Sequence, residues 1–149
     1  MNRTKNAAAK FSQGYACSQA ILSEYCEHFG LDVETALKLA AGFAGGMRFG
    51  EACGAVTGAY MVLGLGFGTH NSEKSDERKI VYDAVCEFRK RFETIHGSVN
   101  CESLIGCNLS TAEGMQKAKD EKIFQTVCPE FIKSAAGILD IMLDRLVKI

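Results

Sequence analysis

One proline and no tryptophan in 149 residues argue against a turn-rich β-sandwich or barrel and for helices. Neither charge is in excess: 17 Lys plus Arg stand against 18 Asp plus Glu, a net of −1. That balance leaves no electrostatic footprint for DNA, RNA or an acidic lipid surface. The opening segment, Met1 to Lys10, is positively charged but lacks an apolar run, so no secretory signal is read there. No two cysteines form a CxxC pair, which removes a thioredoxin-like motif and a zinc ribbon. Neither GxxxxGK[ST] nor GxGxxG occurs, so the glycines of residues 42–58 offer little support for a nucleotide site. Three histidines and no paired carboxylates supply no hydrolytic triad or acid–base couple.

What is abundant is glycine and cysteine, 15 and 7 residues. With 47% hydrophobic and 23% charged residues, the chain can bury an ordinary core as one domain over residues 1–149. An odd number of cysteines cannot all pair within one chain. Together with the missing signal, this predicts a reducing, cytoplasmic setting in which cysteines act as buried apolar residues, reactive thiols or metal ligands. From Ala52 to Thr69 no residue is charged, which reaches the lower length limit of a membrane span. Five glycines dilute the segment and no cationic anchor flanks it, so a buried central helix is the expectation.

The pattern predicts an all-α fold of six or seven helices. A basic first turn or two covers Thr4 to Ser12. A second helix runs from Ala16 to Phe29, with Ala20, Ile21, Tyr25 and Phe29 on one stripe and Gly30 as its stop. Asp32 suits the N-cap of a third, whose Leu37, Ala40 and Ala41 face inward. After the turn Gly42–Gly50, the uncharged helix starts near Glu51. Gly50, Gly54 and Gly58 recur every fourth residue on one face, a pattern that lets another backbone approach closely. Asn71 to Asp76 reads as an exposed start to a long amphipathic helix reaching Ile95, with Val81, Ala84, Val85, Phe88, Phe92 and Ile95 inward and Gly97 as its stop. A short helix spans Asn100 to Ile105. Ser110 to Glu113 has capping-box spacing and opens another over residues 111–121. Cys128-Pro129 opens the last, with Phe131, Ala135, Ile138, Leu139, Met142 and Leu146 inward and Arg145 and Lys148 at its C-terminal end.

Four cysteines share a place. Cys17, Cys53, Cys101 and Cys128 all fall at expected helix starts, Cys128 as an N-cap. Unpaired amides and a partial positive charge there stabilise a thiolate and lower its pKa. Four such placements on four helices suggest one site. Cys26 and Cys86 lie inside helices and read as filler or bystander; Cys107, in a loop, is a candidate resolving thiol. His28 and His70 read as solvated or capping residues, while His96 is a candidate base near Cys101. Arg48, in the glycine turn, is the best-placed cation for a thiolate or an anion.

The block Gly50-Glu51-Ala52-Cys53-Gly54-Ala55-Val56-Thr57-Gly58, with Cys17 before it and Cys101 and Cys128 after it, resembles the C_GCAxxG_C_C family. Ala16 to Ala20, Gly42 to Met47, Gly97 to Cys101 and Cys128 to Phe131 resemble further family blocks, so the likeness covers about residues 12–146. The resemblance implies a small helical protein with a redox role and four characteristic cysteines, at Cys17, Cys53, Cys101 and Cys128. Two mechanisms then compete. In one, Cys53 is a low-pKa nucleophile toward an unidentified redox partner or a small electrophilic or disulfide substrate, and a second cysteine resolves the intermediate. In the other, the four thiolates bind zinc or an iron–sulfur cluster. A third reading is a non-catalytic binding module with structural cysteines. Exposed glycine and alanine surfaces make a homodimer a further expectation.

Overall fold

The computed structural model describes residues 2–70 and 75–147, and most of its early helices begin where a polar side chain takes a free amide. Asn2 accepts from the Lys5 amide and starts α1 (Arg3–Ser12). Helix α2 (Cys17–Tyr25) runs into a 3-10 turn, Cys26–Phe29, which Gly30 closes with a φ of 82°. As expected, Asp32 caps α3 (Val33–Ala40), accepting from the Thr35 amide at 2.9 Å. A π-type turn, Gly46–Gly50, leads to α4 (Gly54–Phe67). Helix α5 (Ser75–His96) stops at Gly97. Asn100 caps α6 (Cys101–Ile105) by accepting from the Ser103 amide. Thr111 caps α7 (Ala112–Asp120); α8 (Ile123–Thr126) and α9 (Cys128–Val147) complete the order.

The all-α expectation is borne out, with corrections of detail. Nine α-helices occur among the described residues rather than six or seven; the extra turn α8 follows Lys122, whose left-handed backbone has no sequence signature. The uncharged helix starts at Gly54, not near Glu51, so Gly50 lies in the turn with a φ of 72°. Thr111 rather than Ser110 caps α7; the Ser110 hydroxyl donates to Asn108. Ala36 replaces the exposed Ala41 on the inner face of α3, and Ile95 is 58% exposed, because α5 runs past the core at its end. Asn71 to Lys74 and Lys148 lie outside the described residues.

Helix α4 is the centre. Its Ala55, Val56, Ala59, Val62 and Leu63 are fully buried, and it packs on α2, α5 and α9. A helix surrounded on its sides has no polar face to keep, which is why no charge interrupts it. The closest approach is to α2, through the two helical glycines of the periodic face. A Cβ on Gly58 would stand 2.9 Å from Ser18 O and 3.1 Å from Ile21 Cβ. Around this pair, Tyr25 of α2 places its hydroxyl 2.7 Å from Asp140 Oδ1 and 2.9 Å from Ala136 O of α9. Glu87 of α5 accepts from Arg145 of α9 on both carboxylate oxygens and from Arg91, which holds its carboxyl at a pKa of about 2. No helix among the described residues is long and apolar enough to cross a membrane.

The contrast between two glycines of α4 tests this packing. Gly58→Ala is expected to force α2 and α4 apart and cost about 1–3 kcal/mol. Gly64→Ala, whose Cβ would meet nothing within 4 Å, is expected to gain up to about 1 kcal/mol from helix propensity alone. Urea denaturation of the two variants beside the parent reads both.

Candidate functional site

Two short backbone segments meet beside the start of α4. The Cys53 amide donates to Val99 O at 2.8 Å and the Cys101 amide donates to Glu51 O at 2.5 Å. These bonds frame an isolated antiparallel bridge between Ala52 and Asn100. Side chains alternate across such a ribbon, so Cys53 and Cys101 share the face opposite Ala52 and Asn100 and are diagonal neighbours. Gly46 lies under the ribbon. Its φ is 64°, and a Cβ there would collide with the Glu51 backbone and stand 3.0 Å from Cys101 Cβ. Only glycine satisfies both conditions.

Cys17 joins from the other side. It is the first residue of α2, and its sulfur occupies the space that a Cβ on Gly54 would fill. Gly54 follows Cys53 in the chain, so the small residue brings the Cys17 sulfur against the backbone next to Cys53. Cys128 completes the group as the first residue of α9 rather than as its cap. All four cysteines line one cavity of about 320 Å³. It descends from exposed Ala41, Gly42 and Arg48 to buried Cys53, Phe131 and Ile132. Cys17 and Cys128 are half-buried, whereas Cys53 and Cys101 are 6% and 7% exposed. All seven cysteines are unpaired.

Burial overrides the helix starts. The Cys17 thiol is raised above its ordinary pKa of 9.0 by desolvation, opposed by backbone amides of Gly45, Ser18 and Gly54. The Cys53 thiol is pushed well above 9.0 by desolvation, then by the neighbouring Cys17, Cys101 and Cys128. Desolvation and sulfur neighbours push Cys101 and Cys128 up to about 12. The expectation of a low-pKa Cys53 is therefore reversed: the amides at a helix start act on a thiolate, but removing that charge from water costs more.

The other candidates separate cleanly. His96 does not line the cavity; it packs between Phe92 and Phe131, with Nε2 2.8 Å from Ser134 Oγ, so the role of base for Cys101 falls away. His28 and His70 are exposed, as expected of solvated residues. Cys26 is buried filler and Cys86 is exposed on α5. Cys107 is buried outside the cavity wall, near enough to Cys101 and Cys128 to raise their pKa values. Arg48 does line the cavity. It and Met47 hold left-handed backbones, with φ of 71° and 55°, a cost of about 1–2 kcal/mol per residue. Sequence reasoning missed the Ala52–Asn100 bridge and the lining residues Met115 and Phe124 from α7 and α8. No local pattern marks them, because the pairing spans nearly fifty residues of chain.

The sequence profile of the C_GCAxxG_C_C family, described as "Putative redox-active protein", matches residues 15–142. The chain belongs to the C_GCAxxG_C_C family. The match contains all four cavity cysteines and the Cys53-Gly54-Ala55-Val56-Thr57-Gly58 core that starts α4. Comparison with curated proteins and with solved structures finds no match. As a C_GCAxxG_C_C protein the chain has a redox assignment at family level. Among the described residues no three Cys, His, Asp or Glu side chains are arranged to hold a metal ion. The four sulfurs as placed therefore form no ready site for a single metal ion such as zinc.

The raised thiols predict a pH dependence with a definite sign. An unfolded cysteine ionises near 9.0, whereas Cys101 and Cys128 hold their protons to about 12. Stability that depends on neutral thiols is then fully present below about pH 9 and falls as pH climbs toward 12. Chemical denaturation of reduced chain from pH 7 to 11 is expected to show that fall. Cys17→Ser/Cys53→Ser/Cys101→Ser/Cys128→Ser, lacking these thiols, is expected to have a flatter profile.

Proposed function

We propose that this protein performs thiol–disulfide exchange through Cys17, Cys53, Cys101 and Cys128. The observation that supports the reading is convergence: four cysteines from four separated segments line one cavity, and the Cys17 sulfur packs against the residue that follows Cys53. Cys17 is the entry thiol in this reading. It is half-buried, as Cys128 is, and unlike Cys128 it has the backbone amides of Gly45, Ser18 and Gly54 favouring its charged form, so its thiolate has donors when it forms. Cys53, deeper and beside it, is the resolving thiol.

The exchange balances with a disulfide as oxidant. The Cys17 thiolate attacks one sulfur of a substrate disulfide, whose S–S bond breaks and releases one substrate thiolate, which takes up the Cys17 proton. The Cys53 sulfur then attacks Cys17 in the mixed disulfide, and the second substrate thiol leaves with the Cys53 proton. Two electrons move from the protein to the substrate, and two protein thiols become one disulfide. Cys101 and Cys128 form a second couple on the same cavity, or accept the bond from the first by a further exchange. Neutral resting thiols make the site slow toward adventitious electrophiles at neutral pH, because the thiolate is the nucleophile.

Oxidation of the reduced chain by a small disulfide, followed by peptide mapping, tests the reading. Two of the seven thiols are expected to be lost first, both from the cavity set, and Cys17→Ser is expected to abolish that step while Cys86→Ser leaves it unchanged. Disulfides confined to Cys86 or Cys26 would overturn the proposal. So would anaerobically purified chain carrying near-stoichiometric iron or zinc with these four thiols masked, since they would then be ligands.

A further inference from the structure

Among the described residues, Arg48 is the one charged side chain lining the four-cysteine cavity; the rest of the wall is apolar side chains, glycine, alanine and the cysteines themselves. Arg48 is exposed at the mouth, above the buried Cys53 and Cys101. Its guanidinium makes no hydrogen bond or ion pair with a described residue; its backbone amide donates to Gly45 O at 3.1 Å. A left-handed residue in a loop that already uses Gly45, Gly46 and Gly50 would be unstrained as glycine. The strain at 48 is instead borne by a residue with a long cationic side chain, at the edge of a reactive cavity.

We infer that Arg48 anchors the anionic end of the redox substrate, which is a small disulfide or dithiol with an apolar body and one terminal carboxylate. The inference rests on the thiol–disulfide reading of the four cysteines. One guanidinium matches one carboxylate through paired N–H donors. A phosphate dianion would keep a charge unmatched, because the wall offers no second cation. A peptide-like disulfide such as oxidised glutathione would bury amides and an ammonium against Phe11, Leu104, Ile105 and Phe124 with nothing to bond them. A carboxylate on an alkyl chain places its charge at Arg48 and its chain and sulfurs among the apolar wall and the thiols.

In the reductive direction the step balances with dihydrolipoate as donor. One substrate thiolate attacks the protein disulfide, whose S–S bond breaks to give a mixed disulfide. The second substrate thiol attacks its own sulfur in that bond and departs as a cyclic disulfide. Two electrons pass to the protein, and the two substrate protons end on the two protein thiols.

Binding and redox are tested separately on the full chain. Octanoate has the chain and the carboxylate without sulfur, and octanamide the same chain without charge. Calorimetry on reduced protein is expected to show octanoate binding about tenfold or more tightly than octanamide, the scale of a charge-assisted hydrogen bond. Arg48→Gln is expected to erase that preference. Arg48→Gly is expected to erase it too while melting no lower than the parent, which separates loss of the side chain from loss of the fold. Dihydrolipoate is expected to reduce oxidised protein about tenfold or more faster than dihydrolipoamide, again only with Arg48 present. Absence of octanoate binding, equal binding of the two chains, or a preference surviving in Arg48→Gln would overturn the anchor even where cavity disulfides form. Carboxylate-selective binding through Arg48 without any cavity disulfide would instead overturn the thiol–disulfide reading and the substrate class together, leaving Arg48 as the anchor of a non-redox carboxylate.

Discussion

The two hydrogen bonds that pair Glu51–Cys53 with Val99–Cys101 are the constraint on which the site depends. They join the segment entering α4 to the segment entering α6 and end within one residue of each helix. Each helix start is thereby held relative to the other, and the two cysteines are turned to the same side. A backbone ribbon is well suited to this role because its alternation dictates direction as well as distance. Gly46 beneath it and the Thr57 hydroxyl, which donates to Phe43 O at 3.0 Å, hold the preceding loop in register with α4.

The ribbon accounts for half the cavity, and the contact between α2 and α4 accounts for the rest. Glycines at 54 and 58 let the two backbones approach, and at that distance the first residue of α2 delivers its sulfur beside the first turn of α4. Ser18 stays buried in the same contact by donating to Ala40 O at 2.7 Å, which ties the end of α3 into it. Small residues therefore serve packing and chemistry at once. The central helix cannot be clasped without bringing Cys17 to the cavity.

Electrostatics then shapes the chemistry. A helix start offers a thiolate amides and partial positive charge, but the same packing withdraws the sulfur from water. The balance leaves neutral thiols, most strongly at Cys53, where three neighbouring sulfurs add to desolvation. Neutral thiols are weak nucleophiles, so a site of this kind is slow to react at neutral pH. Of the two half-buried members, Cys17 has more backbone donors around it.

Much of this was legible in the sequence. Periodicity located the faces of α2, α5 and α9, Asp32 marked the start of α3, and an uncharged, glycine-spaced segment predicted the buried centre, because these are properties of one helix and its immediate flanks. The four cysteines stood out through their common place at helix starts and through family resemblance. Other features depended on the fold. The chain order of residues says nothing of a bridge between Ala52 and Asn100, of His96 turning into the Phe92–Phe131 cluster, or of α7 and α8 closing the cavity. Nor does it show that burial would outweigh the helix termini. Local composition determined which segments are helical and where thiols meet free amides; tertiary packing alone decided which sulfurs share a cavity and what charge they carry, because pairing geometry and desolvation are set by residues far away in the chain.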